Sequence, residues 1–265
     1  MQNIIDFHCH IYPVKIAEKA RQSTGAFYGV PCGDCRGTAE DLLARCDRGG
    51  ITHCLVHSVA TKPEQVNSIN QFLAETVGAN PQRIRAFGTI HQDTPDVENV
   101  VDTIIAYGMK GIKIHPDIQG VPINDPRLMK VYAACEGRLM VLLHTGDDRY
   151  HYSNPEELIP VLEAFPKLTV IGAHFGGYRV WSRAIPKLAQ KYENFYIDCS
   201  SSRFAMEKET FLQYLFAYGE DRVLFGSDYP MWEPDKELAF VRSLDLPESM
   251  LQKLLWNNAA KLLQI

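Results

Sequence analysis

A closed (β/α)8 barrel, an α/β fold, is what this sequence predicts, and three observations predict it. Eight short apolar runs recur along the chain, the segments between them carry helical spacing of their apolar residues, and the 265 residues suit a barrel of about 250. An open doubly wound sheet would show the same alternation, but eight strand-and-helix pairs favour closure.

In order, the runs are NIIDF from residue 3, THCLVH from 52, IRAFGTI from 84, GIKIH from 111, LMVLLH from 139, LTVIGA from 168, FYIDC from 195 and VLFGS from 223. Their β-branched and aromatic content and their lack of polar alternation fit strands covered on both faces, as a parallel sheet requires. Helix-like segments lie between them, among them PEQVNSINQFLAETVGA, DVENVVDTIIAYG, NPEELIPVLEAF and AMEKETFLQYLFAYG. The long stretch at 22–38, QSTGAFYGVPCGDCRGT, reads as an irregular loop after the first strand that would hang over the barrel mouth. The closing stretch at 246–265 reads as one or two amphipathic helices packed outside the barrel. No repeat, low-complexity stretch or linker divides the chain, so residues 1–265 are expected to form one domain.

Composition excludes several classes. Hydrophobic residues at 46% and charged residues at 22% sit near globular averages, which argues against disorder and fibrous repeats. The net charge of -5 is spread along the chain, with no basic block for nucleic acid and no basic amphipathic segment for a membrane surface. Without a secretory signal or an apolar run near the roughly 18 residues of a membrane span, a cytoplasmic protein is expected. The seven cysteines, an odd number at irregular spacing, point to reduced thiols. Cys32 and Cys35 form a C-x-x-C pair with no second pair nearby, and read as ordinary loop thiols.

In a barrel the working residues sit at the C-terminal ends of the strands. Seven of the nine histidines occupy such ends: His8, His10, His57, His91, His115, His144 and His174. Strand alternation turns His8 and His10 to one face and Cys9 to the other, so two imidazoles at adjacent levels can grip one ion. His144, His174 and Asp228 close the fifth, sixth and eighth runs and converge on the same mouth. Imidazole and carboxylate donors suit zinc first, with manganese, iron or nickel as alternatives. Such a site leaves a net positive centre that can polarise a carbonyl or lower the pKa of bound water to about 7.

The motifs DFHCH, GIKIHP, LLHTG, AHFGG, FGSDYP and NNAAKLL occur in an order and spacing that resembles the amidohydrolase superfamily, most closely its amidohydrolase-2 branch of metal-dependent hydrolases and decarboxylases. The similarity runs from the first strand to the last helix. It implies one divalent metal held by His8, His10, His144 and Asp228, with His174 doing catalytic work beside it. Asp228 would then act as general base and later return its proton, while His174 would hydrogen-bond the attacking water or the developing oxyanion.

Other residues are candidates for binding substrate. Lys113 shares a face with His115; in the binuclear branch a lysine at this place bridges two metals, but the nearer resemblance is to the single-metal branch, so an electrostatic or substrate-binding role is expected. His57, His91 and His115 either contact substrate or hydrogen-bond loop backbone. Arg149, in the polar loop after the fifth run, is the first candidate for a substrate carboxylate, and Arg179 is the second.

The sequence therefore predicts a metal enzyme acting on a small carboxylated or carbonyl-bearing molecule. Hydrolysis of a C–O or C–N bond by metal-activated water comes first, as in a lactone or amide, with non-oxidative decarboxylation on the same site as the alternative. A non-catalytic metal- or ligand-binding barrel is the rival of another class, disfavoured because a pure binding site needs no spare acid or base. A homodimer is expected from the prevalence of symmetric pairs.

Overall fold

The structure, a computed structural model, describes residues 3–30 and 33–265. Each predicted run forms a parallel strand: β1 (Ile5–His10), β2 (His53–His57), β3 (Ile84–Ala86), β4 (Gly88–Thr89), β5 (Gly111–Ile114), β6 (Met140–Leu143), β7 (Val170–Gly172), β8 (Phe195–Asp198) and β9 (Val223–Leu224). The run from residue 84 supplies both β3 and β4, interrupted at Phe87, whose N–H still donates to Val56 O at 3.0 Å. The ladder runs β1-β2-β3 and then β4 through β9 in chain order. It closes where β1 meets the end of the chain's last run, with Phe7 N donating to Phe225 O at 2.8 Å and Asp228 N to His8 O at 2.8 Å. The (β/α)8 barrel is therefore complete.

The interior of the barrel is a separate apolar cluster in which Ile5, Phe7, Leu55, Phe87, Leu142 and Leu224 meet. Residues of opposite parity, such as Cys54, Val56, Ile112, Ile114, Val141 and Leu143, pack outward against the helices. One irregularity matters for the site. The β1/β2 register shifts between Asp6 and Cys9. Strict alternation would put Cys9 on the same side as Phe7, yet Phe7 belongs to the inner cluster and Cys9 to the outer one. The bulge thus lets β1 fill the core with Ile5 and Phe7 at its lower end and present His8 and His10 at the mouth.

Two expectations change. Residues 22–28 are the last two turns of a helix, Val14–Tyr28, rather than part of an irregular loop, and that helix ends at Gly29 with φ of 65°. The terminal segment does not lie outside the barrel. Ala259, Ala260 and Leu263 join the interior cluster, and Asn258 Nδ2 donates to Val223 O and Glu220 O, so this helix closes the lower end. Its small residues explain this: two alanines let a helix approach the strand ends closely enough for Leu263 to fill the axis. The cavity lies at the other end, which bears the histidines. Among the described residues no helix is long and apolar enough to cross a membrane.

Candidate metal centre and active site

At the open end a cavity of about 680 Å3 has a polar floor and apolar walls. His8, His10, Lys113, His115, His144, His174 and Asp228 line the floor, while Ile16 and Phe27 from helix Val14–Tyr28 face Ile69 and Phe72 from helix Val66–Ala79.

The tightest convergence is between β1 and the end of the last run. His8 Nε2 lies 3.3 Å from His10 Nε2 and 3.4 Å from Asp228 Oδ1, and His10 Nε2 lies 3.6 Å from the same oxygen. Two donors each about 2.1 Å from one ion in tetrahedral array would stand about 3.4 Å apart, so these three atoms are spaced as ligands of a single divalent cation. The donor chemistry agrees. Burial first, then the charge of Lys113 and neighbouring imidazoles, holds His8 and His10 well below the usual histidine range, which favours the neutral form that metal binding requires. Both ring nitrogens of His57 and Nε2 of His144 are buried without a hydrogen-bond partner, which is costly unless something else meets them. His57 packs edge-on to His10 at 4.3 Å between centroids and forms a compact group with His8 and His10.

His144 sits on the other side of His174. Its Nδ1 is 3.1 Å from His174 Nε2, its ring stacks on His115 at 4.0 Å, and its Nε2 is 3.7 Å from Asp117. The four residues implied as ligands thus share one cavity floor, three of them already at ligand spacing and His144 next to them across the His174 ring, which lies 5.2 Å from that of His8.

The end of β8 and the serines that follow it hold these rings in place. Asp198, fully buried, accepts from His8 Nδ1 at 2.8 Å through Oδ2, and from His174 N at 3.2 Å, Ser200 N at 3.0 Å and Ser200 Oγ at 2.5 Å through Oδ1. A carboxylate on Nδ1 fixes the proton there and leaves Nε2 of His8 as a lone pair facing the cavity. Ser200 Oγ also sits 2.9 Å from His174 Nδ1, and Ser201 Oγ donates to Asp228 Oδ2 at 2.5 Å. Backbone strain sits at the same place: His174 and Asp228 have φ of 58° and 63°, a left-handed conformation that side chains other than glycine seldom adopt. The bonds from Trp181 Nε1 to His174 O and from Asp228 N to His8 O help hold it.

Burial sets the charges of the remaining groups. It pushes the Asp228 carboxyl up to about 7, against the pull of Ser201 and Lys113, and His174 down to about 4. Lys113 is fully buried, 3.4 Å from His8 Nε2, and is pushed down to about 8 by desolvation while Asp198 and Asp228 draw it up.

Other candidates lie elsewhere. The fork of Arg149 is committed to Asp147, with Nε to Oδ1 at 2.9 Å and Nη2 to Oδ2 at 2.7 Å; Nη1 donates to Phe27 O, and the guanidinium lies over Phe27 and Tyr28. Arg149 therefore ties helix Val14–Tyr28 over the mouth, and its fork is taken by Asp147. Arg179 is exposed and rests on Tyr178 and Phe204. His91 Nδ1 accepts from the amide of Asp93, the loop-backbone alternative. Cys32 lies outside the described residues, and Cys35 is buried with its thiol 3.8 Å from Trp232 O.

Sequence reasoning missed Asp198, Asp117 and Tyr28. Asp198 is the last residue of β8, within the run FYIDC, and the end-of-strand rule that selected Asp228 would have selected it too. Asp117 follows a strand by three residues and gives no such signal. Tyr28 could not be found, because its segment reads as loop and its position depends on how the helix crosses the mouth.

A sequence model of the family described as Amidohydrolase matches residues 5–265. Among curated proteins, a 2-amino-3-carboxymuconate-6-semialdehyde decarboxylase from Dictyostelium discoideum is 26% identical over 119 residues, which are 41% of this chain and 32% of that protein. The match therefore spans about a third of the relative's length. An uncharacterised TIM-barrel protein from Bordetella bronchiseptica has a TM-score of 0.81 at 22% identity, over 99% of this chain and 98% of that one. A 5-carboxyvanillate decarboxylase from Novosphingobium aromaticivorans, complexed with manganese and 4-hydroxy-3-methoxy-5-nitrobenzoic acid, has a TM-score of 0.77 at 16% identity, over 100% and 96%. At these identities the structural likeness speaks for the fold.

Proposed function

Because this chain belongs to the amidohydrolase family, and is accordingly a metal-dependent hydrolase or carboxy-lyase, we propose that it is a carboxy-lyase removing carbon dioxide from a small carboxylate with a flat, unsaturated body. The observation that carries this reading is the spacing of His8 Nε2, His10 Nε2 and Asp228 Oδ1 as ligands of one cation at the base of a cavity whose upper walls are apolar. Such a site grips a carboxylate end and takes its carbon skeleton out of water. The decarboxylases among the relatives support placing this reaction ahead of the hydrolysis that sequence reasoning put first. Manganese in a neighbouring structure gives it equal standing with the zinc first expected.

His8, His10, Asp228 and, from the adjoining position, His144 would hold the ion. A divalent cation there supplies positive charge that orients substrate oxygens and stabilises negative charge as it develops. The residues then divide the work. Ile16, Phe27, Ile69 and Phe72 enclose the apolar body. Cleavage of the bond to the carboxyl group releases carbon dioxide and leaves the electron pair on the substrate carbon that bore it, and that substrate carbon must take up a proton. Asp228 carries a proton more readily than an ordinary carboxyl because it is buried, although a cation beside it would draw its pKa back down. His174, neutral, gives its one N–H from Nδ1 to Ser200, which leaves Nε2 as an acceptor beside His144. Lys113 adds positive charge beneath the site.

The test is a screen of aromatic and unsaturated carboxylates with metal-loaded protein in 18O water. Carbon dioxide released in step with substrate loss, with no label in the organic product, is expected. Labelled product without carbon dioxide would return the assignment to hydrolysis.

A further inference from the structure

Tyr28 reaches the cavity floor from the last turn of helix Val14–Tyr28, and its hydroxyl lies 2.6 Å from His115 Nε2. His115 Nδ1 accepts the backbone N–H of Ile118 at 3.3 Å, capping the short helix Pro116–Gln119. A proton on Nδ1 would set two donors against each other, so the ring carries its proton on Nε2. The short contact is therefore an Nε2–H bond into the phenol oxygen, and the hydrogen of Tyr28 itself must point elsewhere. Among the described residues, that side offers the marginal contact to His144 Nδ1 at 3.5 Å and the cavity, which Tyr28 lines.

We propose that the Tyr28 hydroxyl is a specificity-determining donor, oriented by His115 to bind an anionic oxygen of the substrate. Two features of the cavity support it. Among the described residues no arginine lines it, and of the two lysines that do, Lys19 is exposed at the mouth and Lys113 is fully buried against His8. Recognition of a carboxylate above the metal floor therefore falls to a neutral donor. Tyr28 is also pinned from behind, where Arg149 binds Phe27 O and lies 5.3 Å over the Tyr28 ring, so its hydroxyl meets a ligand already placed. An O–H···O− bond accepted by a charged oxygen is stronger than a neutral one, which makes the residue discriminate carboxylates from their uncharged isosteres.

The inference rests on the reading of this site as one for small carboxylates, and its test needs no turnover. Binding of benzoate and of benzamide to manganese-loaded protein would be measured by calorimetry for the unchanged protein, Tyr28→Phe and His115→Ala, with metal content and melting temperature checked for each. Tyr28→Phe is expected to weaken benzoate about 10- to 100-fold and benzamide only a few-fold, with metal content unchanged. His115→Ala, which frees the hydroxyl to rotate, is expected to give a smaller loss in the same direction. That pattern upholds the inference even if no carboxylate yields carbon dioxide, which would defeat the decarboxylase reading alone. Equal losses for both ligands, unchanged benzoate binding, or no benzoate binding by the unchanged protein would overturn it.

Discussion

Replacing Asp198 with asparagine should disable the metal centre through a single proton. Oδ1 of Asp198 faces the backbone N–H groups of His174 and Ser200, which cannot turn round to become acceptors. In Asp198→Asn the amide oxygen must keep that place, so the NH2 group faces His8 Nδ1 at what was a 2.8 Å hydrogen bond. Two donors in contact force the His8 proton from Nδ1 to Nε2, the atom aimed at His10 and Asp228. Loss of such an orienting partner costs about 10- to 100-fold in metal affinity, equivalent to about 1.4–2.7 kcal/mol. Manganese titration against a competing chelator measures the affinity, and 15N shifts of labelled histidine report the tautomer in the metal-free protein. An unchanged affinity, or a His8 still protonated at Nδ1, would refute the reasoning.

Other perturbations separate the metal site from the scaffold. Asp228→Asn should lower turnover at least about 100-fold, as expected for loss of an acid–base group, and weaken metal retention; full activity would remove Asp228 from both roles. Stripping the protein with a chelator should abolish activity and added manganese or zinc should restore it, whereas activity that survives complete removal would end the metal-dependent account. Gly226→Ala would place a Cβ 2.8 Å from His8 Cβ, so about 1–3 kcal/mol of stability and much of the metal affinity should be lost together, read by denaturation and metal titration. Leu263→Ala, at the sealed end, should cost about 2–5 kcal/mol in the same denaturation assay and leave metal affinity untouched, and a parallel loss of metal would show that the two ends are coupled.

Much of the site was legible because a barrel sends every strand end to the same rim. Once His8, His10, His144, His174 and Asp228 are placed at strand ends, their meeting around one cavity follows from topology. Arg149 failed as a candidate for substrate for a related reason. It sits in a loop, and the sequence cannot say that Asp147, two residues away, will occupy its fork.

The sequence by itself determined the strands, their parallel order and the identity of the cavity floor, since these depend on local apolar patterning and on chain order. Only the tertiary structure decided the bulge that turns His8 and His10 inward, the sealing of the lower end by Ala259, Ala260 and Leu263, and the crossing of Tyr28 over the mouth. Those features arise from contacts between segments far apart in the chain, where close packing selects among arrangements that local propensity leaves equal.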